Sequence, residues 1–595
     1  GLTGVMFSQL GMIVSITIVV STFAAITLTP TLASRMMRLR PLKKDAPVYT
    51  WDGSVHKFLD WMDGFYSKSL DWAVHHKRFT IAIAILVFAG SMYLLKFIGK
   101  EFMPTADESR CTASVELQTG TRVDNTLVVA DRIDSLVMAT VPEVKLISTN
   151  TGNDDSGGFA SIFSQGGTHV IQFTFSLVPV SERSRNVEEV AESIRQIMAP
   201  MPEIVNYSVS TTDDMNMGGM GGNTVNLEVY GYDITQTNLV AEELASRVKN
   251  IEGAKNVQIS RKRSKPELQV IFDHKKLMTH GLTTAQASAM IKNRVDGLIA
   301  TRLRQAGDEY DVVVRYQESA RNSITEIENM GIVTPAGQVI RLGEIADIRE
   351  AWTPPNIERK RKERIVTVSV TPYKRSLNLI VADIQKELDE VALPSGVMVE
   401  ISGAFEDMTE SFMDIGLLLV VSLLLVYLVM ASQFESLKMP LIIMLSIPFA
   451  FSGVAIALFI SGESLSLIAG IGAVMLIGIV VKNAIVLVDF INLTRDRGVE
   501  LYQAVLISGR SRLRPVLMTS LTTILAMLPL AVNPGEGSEL WRPMGIAVIG
   551  GLVFSTLVTM ILVPVGYVLM ARRGERDKKR KVALRDMKFL DDIKE

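Results

Sequence analysis

Ile477-Gly478-Ile479-Val480-Val481-Lys482-Asn483-Ala484-Ile485-Val486-Leu487-Val488 is the stretch on which the fold class turns. It lies inside an apolar run, Leu465–Leu493, that exceeds the roughly 20 helical residues needed to cross a bilayer core of about 30 Å. The alternative of a core helix in a soluble protein is weak, because runs such as Ile415–Val429 and Leu465–Val481 carry no charge at all. From Lys482 the nearest end of its run is about eleven residues away, or about 16 Å at 1.5 Å per residue, too far for the ammonium to snorkel to water. An unpaired charge at such depth costs roughly 2.5–3.5 kcal/mol on insertion scales, so Lys482 calls for a partner and a task. Pairing for helix packing alone is the plain alternative. Asn483 adds amide hydrogen bonding beside it, and Asp489, seven residues on, returns to the same face, with Lys482 or Arg495 as its partner.

Six further runs flank this one, at Met12–Leu32, Phe79–Ile98, Phe412–Met430, Pro440–Ile460, Pro515–Val532 and Gly545–Met570. They explain why a chain of 595 residues has 48% hydrophobic and only 21% charged residues, with a mean hydropathy of +0.27. The region from about Lys100 to Met408 reads instead as water-soluble protein, with room for two to three domains of roughly 150 residues. The expectation is a polytopic α-helical membrane protein of seven helices with one large extramembrane α+β region. Lys plus Arg (61) and Asp plus Glu (63) nearly cancel, so no nucleic-acid partner is indicated. Cys111 is the one cysteine, which excludes an intrachain disulfide and a cysteine metal cluster. No charged segment precedes the first apolar run, so it is read as a membrane helix rather than a secretory signal.

Basic residues of short loops set the orientation. Arg35, Arg38, Arg40, Lys43 and Lys44 follow the first run, and Arg495, Arg497, Arg510, Arg512 and Arg514 follow the fifth. Arg572, Arg573, Arg576, Lys578, Lys579, Arg580 and Lys581 follow the seventh. The opposite loops, Ser461–Ser464 and Asn533–Trp541, lack Lys and Arg and include Glu463, Glu536 and Glu539. The three basic loops are therefore cytoplasmic, and Gly1 and the 100–408 region lie on the far side, in a bacterium the periplasm. Trp51–His76 places Trp51, Phe58, Trp61, Phe65, Leu70 and Trp72 among polar residues, a pattern that fits an amphipathic helix in the membrane interface as well as an ordinary connecting helix.

In the extramembrane region the hydrophobic period alternates between two and 3.6. Strands are expected at Cys111–Gln118, Val144–Asn150, His169–Leu177 and Ile204–Ser210, with helices at Arg122–Met138 and Asn186–Met198, a β-α-β-β-α-β order of the ferredoxin-like kind. After a Met- and Gly-rich hinge, Met215–Gly222, the order begins again with strands Thr224–Tyr230, Ala254–Ser260 and Glu267–Phe272 and a helix Gln236–Asn250. An insertion, Lys275–Ala351, interrupts it before strand Arg364–Thr371, helix Leu377–Val391 and strand Val397–Gly403. Two tandem units facing each other across a cleft are the simplest account. Gly152–Gly167, glycine-rich with Phe159 and Phe163, lies between inner strands of the first unit, where its phenylalanines either sweep the cleft or pack on the sheet.

The sixth apolar run opens Ser511-Arg512-Leu513-Arg514-Pro515, and Thr519 lies seven residues beyond Arg512, so a guanidinium and a hydroxyl share one face unless Thr519 simply bonds its own i−4 carbonyl. The chain has no G-x-x-x-x-G-K-[ST] loop, no H-E-x-x-H and no G-x-S-x-G, which argues against ATP hydrolysis and for a motor driven by an ion gradient.

Leu28-Thr29-Pro30, Phe102-Met103-Pro104 with Asp107, Gln433-Phe434-Glu435-Ser436, Val481-Lys482-Asn483-Ala484-Ile485 with Asp489-Phe490, and Arg512-Leu513-Arg514-Pro515 with Met518-Thr519-Ser520 occur along the whole chain in one order. In these stretches the chain resembles the C-terminal half of resistance-nodulation-division (RND) efflux permeases, in their hydrophobe and amphiphile branch. The resemblance implies that 1–34 is the family's sixth helix, 35–78 a cytoplasmic or interfacial linker and 79–99 the seventh helix. Two porter subdomains follow at 100–214 and at 223–273 with 352–407, joined by the hinge 215–222, with a docking insertion at 274–351. Helices eight to twelve then occupy 408–571 and a basic tail 572–595. It implies a bacterial inner-membrane homotrimer that uses the proton gradient, without a cofactor, and works with membrane lipids, a periplasmic adaptor and an outer-membrane channel. Lys482, Arg512 and Thr519 match the family's proton-relay lysine, arginine and threonine, with Asn483 beside them.

Two departures carry consequences. The family's paired aspartates lie on a fourth helix outside this chain, so the chain is expected to need an N-terminal half and not to transport alone. Ser148 and Thr174 stand where multidrug members place pocket aromatics, which leaves Phe159 and Phe163 as pocket candidates. Met201, Met215, Met217 and Met220 suggest a copper or silver exporter as the alternative cargo class, because soft thioethers select Cu(I). A non-transporting sensor or lipid-binding membrane protein is the alternative from another class.

Overall fold

The structure is a computed structural model and describes residues 2–37, 51–152, 167–211, 223–261, 265–353, 357–533 and 535–592. Two compact units emerge: a larger one of residues 1–117, 123–259 and 366–595, and a smaller one of 118–122 and 260–365.

The larger unit opens with three helices: α1 (Leu2–Met36), α2 (Trp51–His75) and α3 (Lys77–Leu94). None of the described residues of α1 is buried, as suits a helix apolar on all sides that lies in lipid. The first sheet comprises β1 (Arg110–Leu117), β2 (Val144–Thr151), β3 (Val170–Leu177) and β4 (Ile204–Ser210), in the spatial order β2-β3-β1-β4. Helices α4 (Val123–Thr140) and α5 (Val187–Met198) cover one face. Strict alternation explains which one: Cys111, Ala113, Val115 and Leu117 of β1 join Phe173 and Phe175 of β3 in the core, while Thr112, Ser114 and Glu116 turn outward. Asn186 caps α5 by accepting from Glu189 N at 2.8 Å, and Glu188 and Glu189 complement the positive end of its dipole.

The second sheet starts with β5 (Val225–Tyr230), α6 (Ile234–Val248) and β6 (Ala254–Ile259). The chain then builds the smaller unit from β7 (Lys265–Phe272), α7 (His274–Thr279), α8 (Thr284–Val295), β8 (Leu298–Gln305), β9 (Asp308–Val314), α9 (Ile324–Glu328), β10 (Gly331–Val333), β11 (Val339–Arg341), α10 (Leu342–Ile345), β12 (Ala346–Thr353) and β13 (Arg359–Lys360). Here the structure corrects the sequence reading: the strand expected at Glu267–Phe272 does not join the second sheet but pairs antiparallel with β12 in the inserted unit. Its alternation only announces a strand with one buried face; partner choice depends on the distant β12, which local pattern does not encode.

β14 (Glu363–Pro372), α11 (Leu377–Glu390) and β15 (Met398–Gly403) complete the five-stranded second sheet, in which the short β13 and β6 both pair with β14, so that β6-β14-β5-β15 repeats the order of the first. At Gly403 the chain turns directly into α12 (Ala404–Gln433) with φ +73°, and a Cβ there would stand 2.7 Å from Thr224 O. Only glycine accommodates both. Then come α13 (Lys438–Met444), α14 (Ile447–Ser461), α15 (Leu467–Asp496), α16 (Leu501–Val532) and α17 (Ser538–Asp592). Each of the seven apolar runs falls on helix, and the described residues contain seven helical stretches long and apolar enough to cross a membrane. α17 packs along α14, α15 and α16 at once. Its approach to α14 is possible because Gly453 meets Gly550: a Cβ on Gly453 would lie 2.5 Å from Gly550 O, and one on Gly550 would lie 2.2 Å from Ala457 Cβ.

Candidate functional site

Lys482 and Asn483 sit on α15, Arg512 and Thr519 on α16. The buried arc of α15 runs through Leu476, Val480, Asn483, Ala484, Leu487 and Ile491. Lys482, one residue and about 100° away, falls on the opposite stripe with Gly478, Val486 and Asp489. Lys482 is therefore on the outer surface of the described bundle, and among the described residues neither its side chain nor that of Asp489 makes a hydrogen bond or ion pair. Arg495 donates instead from Nη1 to Tyr567 Oη at 3.4 Å, and that hydroxyl donates to Asn492 Oδ1 at 2.7 Å.

Beside Lys482 the apolar bundle contains a polar thread. Asn483 is buried and donates from Nδ2 to Ser520 Oγ at 2.9 Å. Ser520 and Thr556, the latter on α17, share a hydroxyl hydrogen bond of 3.0 Å, and both are buried. Thr519 Oγ1 faces two acceptors, Asn483 Oδ1 at 3.4 Å and its own-helix Val516 O at 3.0 Å. A hydroxyl has one proton, so it serves one of them fully at a time. Arg512 does not join this thread. Its guanidinium carbon lies 4.2 Å from the centre of the Phe490 ring, a cation–π contact, and its Nε is buried without a hydrogen-bond partner. In the sequence Asn483 and Thr519 stand out as relay candidates, whereas Ser520 figures only within the Met518-Thr519-Ser520 motif and Thr556 not at all. The signal was available: hydroxyls in an apolar span face the bundle interior more often than lipid.

Arg514, two residues from Arg512, ties α16 to α2. Its Nη2 meets Asp60 Oδ1 at 3.0 Å and the buried Asp63 Oδ2 at 2.7 Å. The same face of α2 sends Tyr66 Oη to Met560 O at 2.8 Å and packs Leu70 onto Gly509. Phe58, Trp61, Phe65 and Trp72 remain exposed on its other side, as an interfacial helix requires.

Ser148 and Thr174 are direct cross-strand partners on β2 and β3, on the sheet face left open by α4 and α5. Thr112, Gln172 and Ser210 continue that polar face. Phe159, Phe163 and the methionines at 215, 217 and 220 lie outside the described residues. Met201 belongs to the first sheet's hydrophobic core. Where the two sheets of the larger unit meet, a cleft of about 500 Å³, including its open mouth, is lined by Glu188, Arg195, Asn223, Lys255 and Tyr373 among others. Glu192 accepts from Arg195 at 2.9 Å and Lys255 at 3.4 Å, and Asn256, at φ +49°, exchanges two hydrogen bonds with the main chain of Val209.

Comparison with known proteins bears on this arrangement. The swarming motility protein SwrC of Bacillus subtilis is 28% identical over 577 residues, 96% of this chain and 53% of SwrC. The multidrug resistance protein MdtC of Yersinia enterocolitica is 26% identical over 594 residues, 98% of this chain and 55% of MdtC. The crystal structure of a heavy metal efflux pump aligns with a TM-score of 0.73 and 26% identity, covering 86% of this chain and 52% of the pump. The chain thus spans about half the length of the relatives it matches. The AcrB/AcrD/AcrF family matches residues 1–571. With that match over nearly its whole length, this chain belongs to the AcrB/AcrD/AcrF family of RND permeases, multi-pass membrane transporters.

Proposed function

We propose that the chain is the C-terminal half of a proton-driven exporter of hydrophobic or amphiphilic compounds. The observation that carries this reading is Lys482: a lysine in the middle of an apolar helix, beside a hydrogen-bonded Asn483–Thr519 pair and on one stripe with Asp489. In water-free surroundings its ammonium needs a carboxylate. The outer stripe of α15 is where an N-terminal half carrying the fourth-helix aspartates packs, and this chain spans about half of MdtC, which is consistent with it. Loading and release of a proton on those carboxylates then changes what Lys482 pairs with. Arg512 and Thr519 extend the relay along α16, and α12 and α15 pass the change to the sheets.

In this reading the two sheets are tandem ferredoxin-like porter subdomains on the periplasmic side of a bacterial inner membrane. The smaller unit is the docking element of a homotrimer that meets a periplasmic adaptor and an outer-membrane channel. Ser148, Thr174, Phe159 and Phe163 belong to the cargo pocket, where the hydroxyl pair suits the polar end of an amphiphile. The multidrug resistance relatives favour organic cargo. The likeness to a heavy metal efflux pump favours a second reading, export of a soft cation.

Growth of efflux-deficient cells carrying the complete permease, challenged with ethidium, deoxycholate, an antibiotic panel and copper or silver, separates the cargo classes. Protection against copper or silver alone would reverse the ranking. Lys482→Met should abolish protection while the protein still accumulates in the membrane; retained protection would sink the relay.

A further inference from the structure

The thread Asn483–Ser520–Thr556 has a consequence for chemistry as well as packing. An amide side chain is nearly symmetric in shape, with an oxygen and a nitrogen of similar size, so packing alone does not choose which end faces Thr519. Hydrogen bonding does. Ser520 Oγ, 2.9 Å from Nδ2, accepts from the amide, and this leaves Oδ1 toward Thr519 at 3.4 Å. In the Ser520–Thr556 hydrogen bond, 3.0 Å across the α16–α17 contact, either hydroxyl can donate; Ser520 holds its acceptor role toward the amide when it is the donor there.

Without Ser520 the amide can rotate by half a turn. Thr519 would then face an NH2 donor, and its hydroxyl would be left to Val516 O, already only 3.0 Å away. With Ser520 and Thr556 in place, Thr519 has a choice between Asn483 Oδ1 and Val516 O, the kind of alternative a relay group needs. All three members of the thread are buried, at 7%, 4% and 4% exposure for Asn483, Ser520 and Thr556, so water does not substitute for a lost partner.

We infer that Ser520 and Thr556 are positioning residues that hold the Asn483 amide with its oxygen toward Thr519. The inference rests on the relay reading of Lys482, Asn483 and Thr519. The charged groups on the packed elements are Lys482, Asp489, Arg495 and Asp496 on α15 and Arg510, Arg512 and Arg514 on α16, whereas α17 carries none between Arg542 and Arg572.

The test is export by the complete permease, followed with whichever of ethidium, deoxycholate or copper the parent exports, across a series of external pH values. Ser520→Ala and Thr556→Val should each lower the rate about two- to ten-fold, the equivalent of one neutral hydrogen bond, and move the pH of half-maximal export in the same direction. Ser520→Thr should restore both. Rates that merely follow the amount of protein in the membrane, with the parent's pH profile, would mean the hydroxyls only glue helices and would overturn the inference. Should Ser520→Ala fail to accumulate, Thr556→Val, which keeps the side-chain shape, decides alone. Lys482→Met in the same assay separates the two levels. If it still exports, the relay reading fails; if it is dead while the hydroxyl variants keep the parent's rate and profile, only the positioning role fails.

Discussion

At the scale of single residues, a buried electrostatic coupling lies outside the membrane bundle, at Asp107. Its carboxylate pairs with Arg183, whose side chain is 1% exposed, and also accepts from Val187 N at 2.9 Å and Ser109 N at 3.0 Å. Val187 is the first residue of α5, so one carboxylate neutralises a buried guanidinium and caps a helix of the first sheet. Sequence resemblance marked Asp107 as part of a motif but could not give it this role, because Arg183 lies 76 positions away. Asp107→Ala strands a buried cation and should cost about 3–5 kcal/mol in unfolding experiments on the purified protein, whereas adding Arg183→Met should recover much of the loss. Additive losses would show that the pair is not coupled. Cys111 next to this site is also fully buried, and burial pushes its thiol up to about 12. A maleimide should therefore label the native protein very slowly and the denatured protein fast; rapid native labelling would contradict the packing of β1.

Elements were legible to different degrees. The apolar runs could be read directly, because a helix surrounded by lipid has to be apolar over its whole length and any charge stands out. The seven-residue spacing of Arg512 and Thr519 puts both on one helix, α16, but does not reveal that Arg512 stacks on Phe490 while Thr519 meets Asn483. Strand partners and helix crossings were not, since β7 finds β12 and Gly550 finds Gly453 through tertiary geometry. The crossing makes a clear prediction. Gly550→Ala forces a methyl group to 2.2 Å from Ala457 Cβ and should destabilise the bundle by about 1–3 kcal/mol. Gly416→Ala on α12, with nothing within 4 Å, should be neutral or better. Equal effects in a thermal unfolding series would refute the close contact.

The segment leaving α3 supplies a pH prediction at the same scale. Burial raises the Glu101 carboxyl above its ordinary value, against a hydrogen bond from Ser464 and with help from the charges of Glu188 and Glu463. The folded state thus holds this proton more tightly than the unfolded chain. Its contribution is largest below the ordinary carboxylate range and is lost as pH rises from there through the folded-state value. Glu101→Gln should raise the thermal midpoint at neutral pH and flatten its decline over that window. An unchanged pH dependence would show that Glu101 is already ionised at no cost.

For the molecule as a whole, the proposed function requires a change on α15 to reach the sheets. One hydrophobic cluster joins them: Leu467 at the start of α15 and Ile415 on α12 pack with Phe102 and with Val225, Leu227, Val366 and Val368 of the second sheet. Main-chain bonds reinforce the joint, with Leu467 N donating to Phe102 O at 3.1 Å and Leu465 N to Gly99 O at 2.8 Å. α12 enters the same cluster without a loop, through the turn at Gly403. Close-packed contacts of this kind pass displacement on rather than absorbing it, so a shift of α15 along its axis should move the base of the second sheet. Leu467→Ala leaves a gap at the joint and should cost about 2–5 kcal/mol if the cavity persists. Its distinctive effect is predicted to be on coupling: in the complete permease, export should fall further than it does for Leu244→Ala, an equally buried leucine within the second sheet's own core, at matched membrane levels. Equal losses from the two substitutions would mean that the cluster only stabilises the fold, and that motion reaches the sheets by another route.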